Sequence, residues 1–393
     1  MLPQLPYTAP QSVTDAVALL GRTEDVRFSP SNRRLAVASF HRNRVLLLDI
    51  DIDIDVDIDD VADSSGTTRV TLTGGVELSS PALRWPHGVD FIDDDTLIVT
   101  SRKCDVALFT LRPGDDAVRC HEVLPMARWP ADTTTLLDAP GSVTVTRGED
   151  DAGEILICNN NGNTVTRHRL DRHAGRALGH SEVLLQKYLD IQDGVSVSPD
   201  RRWIAVSNHT THNVLLYENS PALSANTEPA GILRRVAFPH GLRFSADGRH
   251  LFVADAGAPY LHIYAQHADE WRGVRHPVST VRIMDDARFE RGRHNPEEGG
   301  PKGLDIDAGS RVLVVTSECQ SLAFFDVPAL LQLALTGGSA CEERALDIGH
   351  ELRLMHEIRR MAEKATEAHA IRNSRSWRIT GPLRRLNSYF RRR

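Results

Sequence analysis

The segment HGLRFSADGRHLFVADAGAPYLHIYAQ, residues 240 to 266, decides the fold. It contains three short apolar stretches, and a polar Ala-Asp-Gly turn joins the first two. Leu242 and Phe244 alternate with polar residues, as side chains do when a strand has one face toward a core. The segment therefore predicts three consecutive antiparallel β-strands.

The same phrase recurs along the chain, at residues 24 to 50, 87 to 111, 193 to 219 and 302 to 327, with a looser copy from Gly141 to Leu170. The apolar residues that open the six copies are 47 to 63 residues apart, which leaves room for four strands in each: Val26, Val89, Val143, Val195, Leu242 and Leu304. Four-stranded units repeated radially form a β-propeller. We therefore predict an all-β, six-bladed propeller over residues 1 to 330, in which a strand at Ser12 to Leu20 completes the last blade and closes the ring.

The repeat resembles the six-bladed propellers of the lactonase, NHL and TolB-like group, over roughly residues 12 to 330. PHGLRFSADGRHLFVADAG is similar to the Pro-Asn-Gly-Leu phrase of the lactonases and the strand that follows it, although His240 replaces the asparagine. Lys302 likewise stands where a related copy has a carboxylate. The resemblance implies a metal-dependent lactonase-like hydrolase with calcium or manganese at the propeller mouth. It implies the metal ligands Glu24, Asn159, Asn208 and Asp255.

Alignment of the copies places two sets of polar residues at one end of the channel. The residues that open the first strands are Glu24, His87, Gly141, Asp193, His240 and Lys302, and those that follow the second strands are Ser39, Ser101, Asn159, Asn208, Asp255 and Ser317. Convergent histidines, carboxylates and amides can orient a small polar ligand. We expect a ligand-binding mouth formed by His87, Arg102, Asp193, Asn208, His209, His240 and Lys302. The alternative is that they are solvated turn residues, favoured there for backbone reasons.

Charge and motifs exclude other functions. The net charge of -7 combines -15 over residues 1 to 350 with +8 over residues 351 to 393. An acidic body of this kind disfavours nucleic acid as a partner. The sequence has no GxSxG, Walker or Rossmann motif, and its five cysteines form no CxxC pair.

An unusual run, DIDIDIDVDID, extends from Asp49 to Asp59 and alternates aspartate with Ile or Val. Strict alternation puts the aspartates on one face of a strand. Such a face suits an exposed edge that must resist aggregation. A docking strip for a basic partner or for calcium is the alternative.

The last part of the chain follows a helical pattern instead. Apolar residues recur at helical spacing from Leu354 to Ala365, which predicts a linker and amphipathic helix over residues 331 to 371, with the helix itself from about Gly349 to Ile371. Residues 372 to 393 form a basic, aromatic tail, and NSRSWRITGPLRR in it resembles the end of many bacterial glycosyltransferases of surface-polysaccharide assembly. Aromatic and arginine side chains suit an anionic membrane surface or a docking partner, here Trp377, Arg378, Arg384, Arg385 and Phe390.

These observations favour a non-enzymatic binding or scaffold propeller that serves bacterial surface-polysaccharide biosynthesis. The tail indicates a glycosyltransferase or another glycan-assembly protein as partner, with the anionic inner-membrane surface as an alternative. No membrane span and no secretory signal are evident in the sequence, so we expect a cytoplasmic protein, peripheral to the inner membrane. The metal-dependent hydrolase is the second hypothesis.

Overall fold

The computed structural model describes residues 2–55, 67–103, 105–114, 117–146, 153–171, 177–293, 298–336 and 348–373. The chain forms two compact units, Met1–Ala345 and Leu346–Arg393. In the first unit, six β-sheets lie around a channel. The first strand of each sheet contacts the first strand of the next, and the sixth contacts the first. The predicted six-bladed β-propeller is confirmed.

The first three blades follow the copies of the repeat. Blade 1 contains β1 (Tyr7–Thr8), β2 (Thr23–Phe28), β3 (Arg34–Ser39), β4 (Arg44–Asp55) and β5 (Thr67–Ser79). Blade 2 contains β6 (Pro86–Asp93), β7 (Thr96–Ser101) and β8 (Val106–Thr110), then β9 (Arg119–Glu122), which pairs back onto β5, and β10 (Ala127–Trp129). Blade 3 contains β11 (Pro140–Thr146), β12 (Gly153–Asn159), β13 (Thr164–Asp171) and β14 (Ala177–Leu185).

The other three blades differ mainly at their outer strands. Blade 4 contains β15 (Gly194–Val197), β16 (Trp203–Asn208), β17 (Asn213–Glu218) and β18 (Gly231–Leu233). Blade 5 contains β19 (Pro239–Phe244), β20 (His250–Asp255) and β21 (Tyr260–Ala265), then β22 (Gly273–Arg275), which pairs with β18 of blade 4, and β23 (Ser279–Arg282). Blade 6 contains β24 (Pro301–Ile306), β25 (Val312–Ser317) and β26 (Ala323–Asp326).

The apolar core lies between neighbouring blades. Val37 belongs to a buried cluster that also contains Phe324 of blade 6. Its neighbour Ala36 belongs to a cluster with Val89 of blade 2. Successive side chains of a strand point to opposite faces, so one strand supplies both interfaces. This is why the strands are apolar on both faces, and why polar residues are left for the channel.

The predicted N-terminal strand at Ser12 to Leu20 is wrong, because Gln11–Ala18 forms a helix, α1. Val13 and Val17 are four residues apart and both buried, which is helical spacing. Residues nearer the N-terminus pair with the outer strand of blade 6 instead. The backbone N–H of Leu5 donates to the carbonyl of Phe324 at 2.8 Å, and β1 then pairs with β5 of blade 1.

Asp49 to Asp55 lie within β4, which pairs with β5 along this whole stretch. Ile50 is buried and Asp51 is exposed, so the predicted alternation holds from Asp49 to Asp53. Beyond Asp49, β4 continues past its pairing with β3. Residues 56 to 59 of the run lie outside the described residues.

The described residues contain three more helices: α2 (Asp286–Gly292), α3 (Val327–Thr336) and α4 (Ile348–Asn373). The predicted helix from Gly349 to Ile371 corresponds to α4, whereas α3 begins before the predicted linker. Within the described ranges, no helix combines the length and the apolar character needed to cross a membrane.

Candidate functional site

A β-bulge in the inner strands aims their side chains at the channel. In β2, β6, β11, β19 and β24 the pairing register shifts between the start of the strand and its apolar residue, for example between Pro239 and Leu242. A bulge sets two residues opposite one and redirects a side chain. We call the face where the inner strands begin the upper face, and the residues that open them there the upper ring: Glu24, His87, Gly141, Asp193, His240 and Lys302.

Most upper-ring residues are followed by glycine, because the inner strands nearly touch at this level. A Cβ atom built on Gly241 would lie 2.5 Å from the carbonyl oxygen of Lys302, and one on Gly303 would lie 2.6 Å from Cα of Asp25. Ser142, which follows Gly141, and Asp25 are the exceptions in this series, and Asp25 connects two blades. Its carboxylate accepts a hydrogen bond from the backbone N–H of Val89 in the neighbouring blade at 3.2 Å. The His-Gly and Lys-Gly pairs of the repeat are thus a packing requirement.

Glu24 is the centre of one half of the site, and its side chain is fully buried. Nζ of Lys302 lies 3.4 and 3.3 Å from its two carboxylate oxygens, and Nε2 of His240 lies 3.3 Å from Oε2. Arg22 makes a close ion pair with Oε1. Burial by itself would raise the pKa of Glu24, but the charge of Lys302 and the hydrogen bond from His240 hold that pKa well below its usual range. Glu24 is therefore ionised at neutral pH.

Asp193 is the centre of the other half. Its Oδ1 accepts hydrogen bonds from Nη2 of Arg102 at 2.5 Å and from Nδ2 of Asn160 at 2.8 Å. Nδ1 of His209 lies 3.4 Å from Oδ2. Burial by itself would raise the pKa of Asp193, but Arg102 and the neighbouring histidines lower it below the usual range. This carboxylate also stays ionised.

Glu298, from the loop before β24, joins the two halves. Its Oε2 accepts a hydrogen bond from Nζ of Lys302 at 2.8 Å, and Nη2 of Arg22 lies 3.4 Å away. Its Oε1 lies 3.5 Å from Nε2 of His209 on the Asp193 side. Burial by itself would raise the pKa of Glu298, but Lys302 brings it below the usual range. The upper site is thus one continuous network, in which ion pairs form each half and the imidazole of His209 makes a polar contact with both.

Two histidines stack between the halves. The rings of His87 and His240 have centroids 5.5 Å apart and planes 20° apart. Nε2 of His87 lies 2.9 Å from Nη2 of Arg102, which can only donate, so this nitrogen accepts and the ring is neutral. Burial, together with the charge of Arg102, holds the pKa of His87 well below its usual range. Burial also lowers the pKa of His209.

Five buried polar atoms in the cluster make no hydrogen bond to any described residue: Nδ1 of His87, Nδ1 of His209, Nδ1 of His240, Nε of Arg102 and Oδ1 of Asn160. Asn160 also fills the space beside Gly141, where a Cβ atom would collide with its Oδ1. A buried polar atom without a partner costs about 1 to 3 kcal/mol. A bound ligand that paired with these atoms would recover that free energy.

The rim of the mouth combines arginines with aromatic rings. The side chains of Arg22 and Arg102 are 23% and 27% exposed. Nη1 of each makes no hydrogen bond within the described residues. Arg22 lies over the ring of Phe40, and Phe40 packs against Trp85 at 5.2 Å. The rim therefore offers hydrogen-bond donors beside an apolar face.

The residues that follow the second strands serve the backbone instead. Asn159, Asn208 and Asp255 each accept a hydrogen bond from a backbone N–H of the loop that leads into the first strand of the same blade, at 2.6 to 3.0 Å. Asp255 also lies 3.0 Å from Nε2 of His262. Of the metal ligands implied by the lactonase resemblance, Glu24 belongs to the upper ring and the other three hold loops in place.

Two other groups of side chains have the composition of a metal site. The ligand atoms of Glu24, His87 and His240 lie within 4.8 Å of one another, and those of Asp193, His209 and Glu298 do so as well. Imidazole and carboxylate together suit several divalent metals. Either group could hold a divalent cation, although both lie inside the ion-pair network.

Alignment of the repeats located most of this cluster but missed two members. His87, Arg102, Asp193, His209, His240 and Lys302 come together as expected, whereas Asn208 does not join their network. Arg22 and Glu298 were missed because both precede the phrase that repeats. For Arg22 a signal existed, because it lies two residues before Glu24 and such residues share a face of a strand.

The tail residues Trp377, Arg378, Arg384, Arg385 and Phe390 lie outside the described residues. The predicted interface for a membrane or a partner protein therefore stays a prediction.

No family model matches the chain, and no curated protein matches it. Among solved structures, a protein of unknown function from Desulfotomaculum acetoxidans DSM 771 superposes with a TM-score of 0.47 at 12% identity, over 78% of this chain and 83% of that one. A provisionally assigned gluconolactonase has the same TM-score and identity, over 78% of this chain and 89% of its own. Likenesses this distant do not carry a function, so function has to be argued from the site.

Proposed function

We propose that the protein is a non-enzymatic binding propeller that holds a small hydroxylated ligand at its upper mouth. The position of Lys302 is the observation that carries this proposal. Its ammonium group lies 3.3 and 3.4 Å from the oxygens of Glu24 and 2.8 Å from Oε2 of Glu298. It thus takes the place that a cation shared by the two carboxylates would occupy.

Electrostatics favour the ammonium over a metal at this point. A divalent cation bound to Glu24 would lie about 2.0 to 2.6 Å from a carboxylate oxygen, and so within a few ångströms of Nζ of Lys302. Two unit charges 4 Å apart repel by about 4 kcal/mol at an effective dielectric constant of 20, and a divalent ion doubles the repulsion. Binding of a metal would first have to displace Lys302.

The mixed character of the mouth favours hydroxyl groups in the ligand. Its atoms that make no hydrogen bond to a described residue are donors on Arg22 and Arg102, the acceptor Oδ1 of Asn160, and ring nitrogens of His87, His209 and His240. A hydroxyl group both donates and accepts, so it can pair with every one of these. Ionised acids and bases nearly balance in the network, so the mouth has almost no net charge. A neutral ligand such as a sugar suits such a site.

The biological setting rests on the tail alone. Its resemblance to the ends of surface-polysaccharide glycosyltransferases supports a scaffold role in bacterial surface-glycan biosynthesis. A glycosyltransferase, another glycan-assembly protein or the anionic inner-membrane surface would be the partner. A sugar ligand at the mouth would be consistent with that setting.

Calorimetry with neutral monosaccharides tests the binding proposal. Glucose, galactose, mannose and N-acetylglucosamine are titrated into the full-length protein, and we expect saturable binding of at least one. Arg102→Gln should weaken it, whereas Arg202→Gln, which removes an exposed arginine paired with Glu270, should not. If no member of the panel binds, or if both substitutions have the same effect, the proposal fails.

A metal-dependent lactonase-like hydrolase is the second candidate, and the group of Glu24, His87 and His240 favours it. Two imidazoles suit manganese better than calcium, which prefers oxygen ligands. Elemental analysis after dialysis, with hydrolysis of gluconolactone assayed with and without each metal, separates the two candidates. Stoichiometric metal and a lactonase rate that Glu24→Gln abolishes would replace the binding proposal with the hydrolase.

A further inference from the structure

The lower end of the channel has a second ring of polar residues. Each lies three positions after an upper-ring residue, and together they are Arg27, Asp90, Thr144, Ser196, Arg243 and Asp305. All six line a cavity of 340 Å³. Small-molecule sites have volumes of about 300 to 1,000 Å³, so a ligand of monosaccharide size is the appropriate scale.

Arg27 separates this cavity from the upper site. Its Nη1 donates to the carbonyl of Leu304 in blade 6 at 3.3 Å, and its Nη2 donates to the carbonyl of Val143 in blade 3 at 3.3 Å. The guanidinium of a blade 1 residue therefore reaches two other blades. No upper-ring residue is among those that line the lower cavity. Binding at the two ends can thus be measured separately.

The two acidic residues of the lower ring are committed to the fold. Asp90 accepts a hydrogen bond from the backbone N–H of Val145 at 2.7 Å, and Asp305 accepts one from the N–H of Phe28 at 2.8 Å. Each bond joins two neighbouring blades. These carboxylates are therefore blade connectors, and they partly neutralise the arginines.

The groups left without partners are hydrogen-bond donors. Nε of Arg243 lies 2.8 Å from Oδ1 of Asp305 in an ion pair that lacks hydrogen-bond geometry, and neither Nη atom makes a hydrogen bond to a described residue. The hydroxyls of Thr144 and Ser196, which are buried, have no hydrogen-bond partner in the described part of the chain either. These three residues lie at the same level on blades 3, 4 and 5. A guanidinium fork flanked by hydroxyls is an arrangement that recognises an oxyanion.

We propose that the lower cavity is a second ligand site, which binds a small hydroxylated carboxylate. The carboxylate pairs with the guanidinium of Arg243, and the hydroxyls of Thr144 and Ser196 donate to it. Arg27 and Arg243 balance Asp90 and Asp305 in formal charge, so one added negative charge meets no strong repulsion. The cavity volume of 340 Å³ suits a ligand of monosaccharide size.

Titration calorimetry of the full-length protein with gluconate, glucose and inorganic phosphate tests this site. The measurements are repeated in an Arg102→Gln background, which weakens the upper mouth. We expect gluconate to bind in both backgrounds. Glucose should bind at least tenfold more weakly to the Arg102→Gln variant than to the wild type. Loss of gluconate binding in Arg102→Gln, or binding of phosphate without gluconate, would overturn the assignment.

Arg243→Gln should weaken gluconate binding by roughly ten- to a hundredfold, because a charge-assisted hydrogen bond is lost. Arg249→Gln, which changes an exposed arginine of the same blade, is the matched control and should leave it unchanged. Since Arg243→Gln also removes one of the ion pairs of Asp305, Thr144→Val and Ser196→Ala provide a second test that keeps the charges. Each should weaken gluconate binding several-fold, and unaltered binding in all three variants would refute the proposal.

Discussion

At the scale of single residues, the upper mouth depends on charges that are buried together. Glu24 and Glu298 stay ionised because the ammonium group of Lys302 lies within 3.4 Å of each carboxylate and lowers its pKa. Removing one partner of a buried ion pair strands the other, which costs about 3 to 5 kcal/mol. Replacing both partners by apolar residues of similar size costs much less free energy of unfolding. This asymmetry distinguishes a buried network from surface charges.

The pair formed by Glu24 and Lys302 should therefore show strong energetic coupling. Glu24→Gln and Lys302→Met are each expected to lower the free energy of unfolding by about 3 kcal/mol, and the double variant by about 1 to 3 kcal/mol less than their sum. Denaturant unfolding of the four proteins measures the coupling. The exposed pair of Arg202 and Glu270, 2.9 Å apart, is the matched control, with coupling below about 1 kcal/mol. Equal coupling in both pairs would contradict the buried network.

Asp25 should make stability depend on pH in the opposite sense to an ordinary carboxylate. Burial, partly offset by Arg27, raises its pKa to about 6. A raised pKa means that its stabilisation is complete below the unfolded value near 4 and is lost as pH rises through about 6. The change corresponds to about 3 kcal/mol for a shift of this size.

Asp25→Asn removes this titration. The difference in unfolding free energy between the two proteins therefore reports the titration of Asp25 alone, because the histidines titrate in both. We expect that difference, wild type minus variant, to fall between pH 4.5 and pH 7. Denaturant titrations at four pH values across this range measure it. A constant difference would show that Asp25 is ionised throughout.

At the scale of strands and helices, the sequence predicted what the repeat contains and failed where the repeat stops. Every inner strand could be found because its apolar residue recurs in a fixed phrase. Ser12 to Leu20 lies outside the phrase and was assigned by analogy, although Val13 and Val17 have helical spacing. The role of Asp255 was missed for a different reason. Its partners are backbone N–H groups of a preceding loop, which a sequence alignment does not show.

Closure of the ring should depend on residues 2 to 8. It should not depend on residues 12 to 20, which the sequence predicted to be a strand. Deletion of residues 2 to 8 removes the bond from Leu5 to Phe324 and the pairing of β1 with β5, which exposes a sheet edge. We expect a fall of several degrees in the melting temperature, measured by calorimetry. Truncation after Asn373 is the control and should leave the melting of the propeller unchanged. Identical melting of all three proteins would contradict closure by this segment.

At the scale of the whole molecule, charge separates the chain into an acidic body and a basic end. Residues 1 to 350 carry -15, whereas residues 351 to 393 carry +8. The body therefore repels an anionic surface that the tail attracts, so attachment through the tail alone is expected. Sequence establishes this asymmetry fully, because net charge needs no structure. It does not establish what the tail contacts, since a lipid surface and an acidic protein attract arginine in the same way.

Liposome sedimentation distinguishes these partners. Seven arginines follow α4 in the tail: Arg375, Arg378, Arg384, Arg385, Arg391, Arg392 and Arg393. Each contributes about 1 kcal/mol near an anionic surface, and salt screens this attraction. The full-length protein should therefore sediment with anionic vesicles at low salt and not with neutral ones, and truncation after Asn373 should abolish this.

Replacing Trp377 and Phe390 by alanine refines the same experiment. Apolar insertion does not depend on ionic strength, whereas attraction between charges does, so the double variant should lose more of its binding at high salt than at low salt. Equal losses at both salt concentrations would mean that the aromatic residues do not enter the lipid. If the full-length protein ignores anionic vesicles altogether, the membrane proposal fails, and a direct binding assay with a purified glycosyltransferase then tests whether the tail docks on protein.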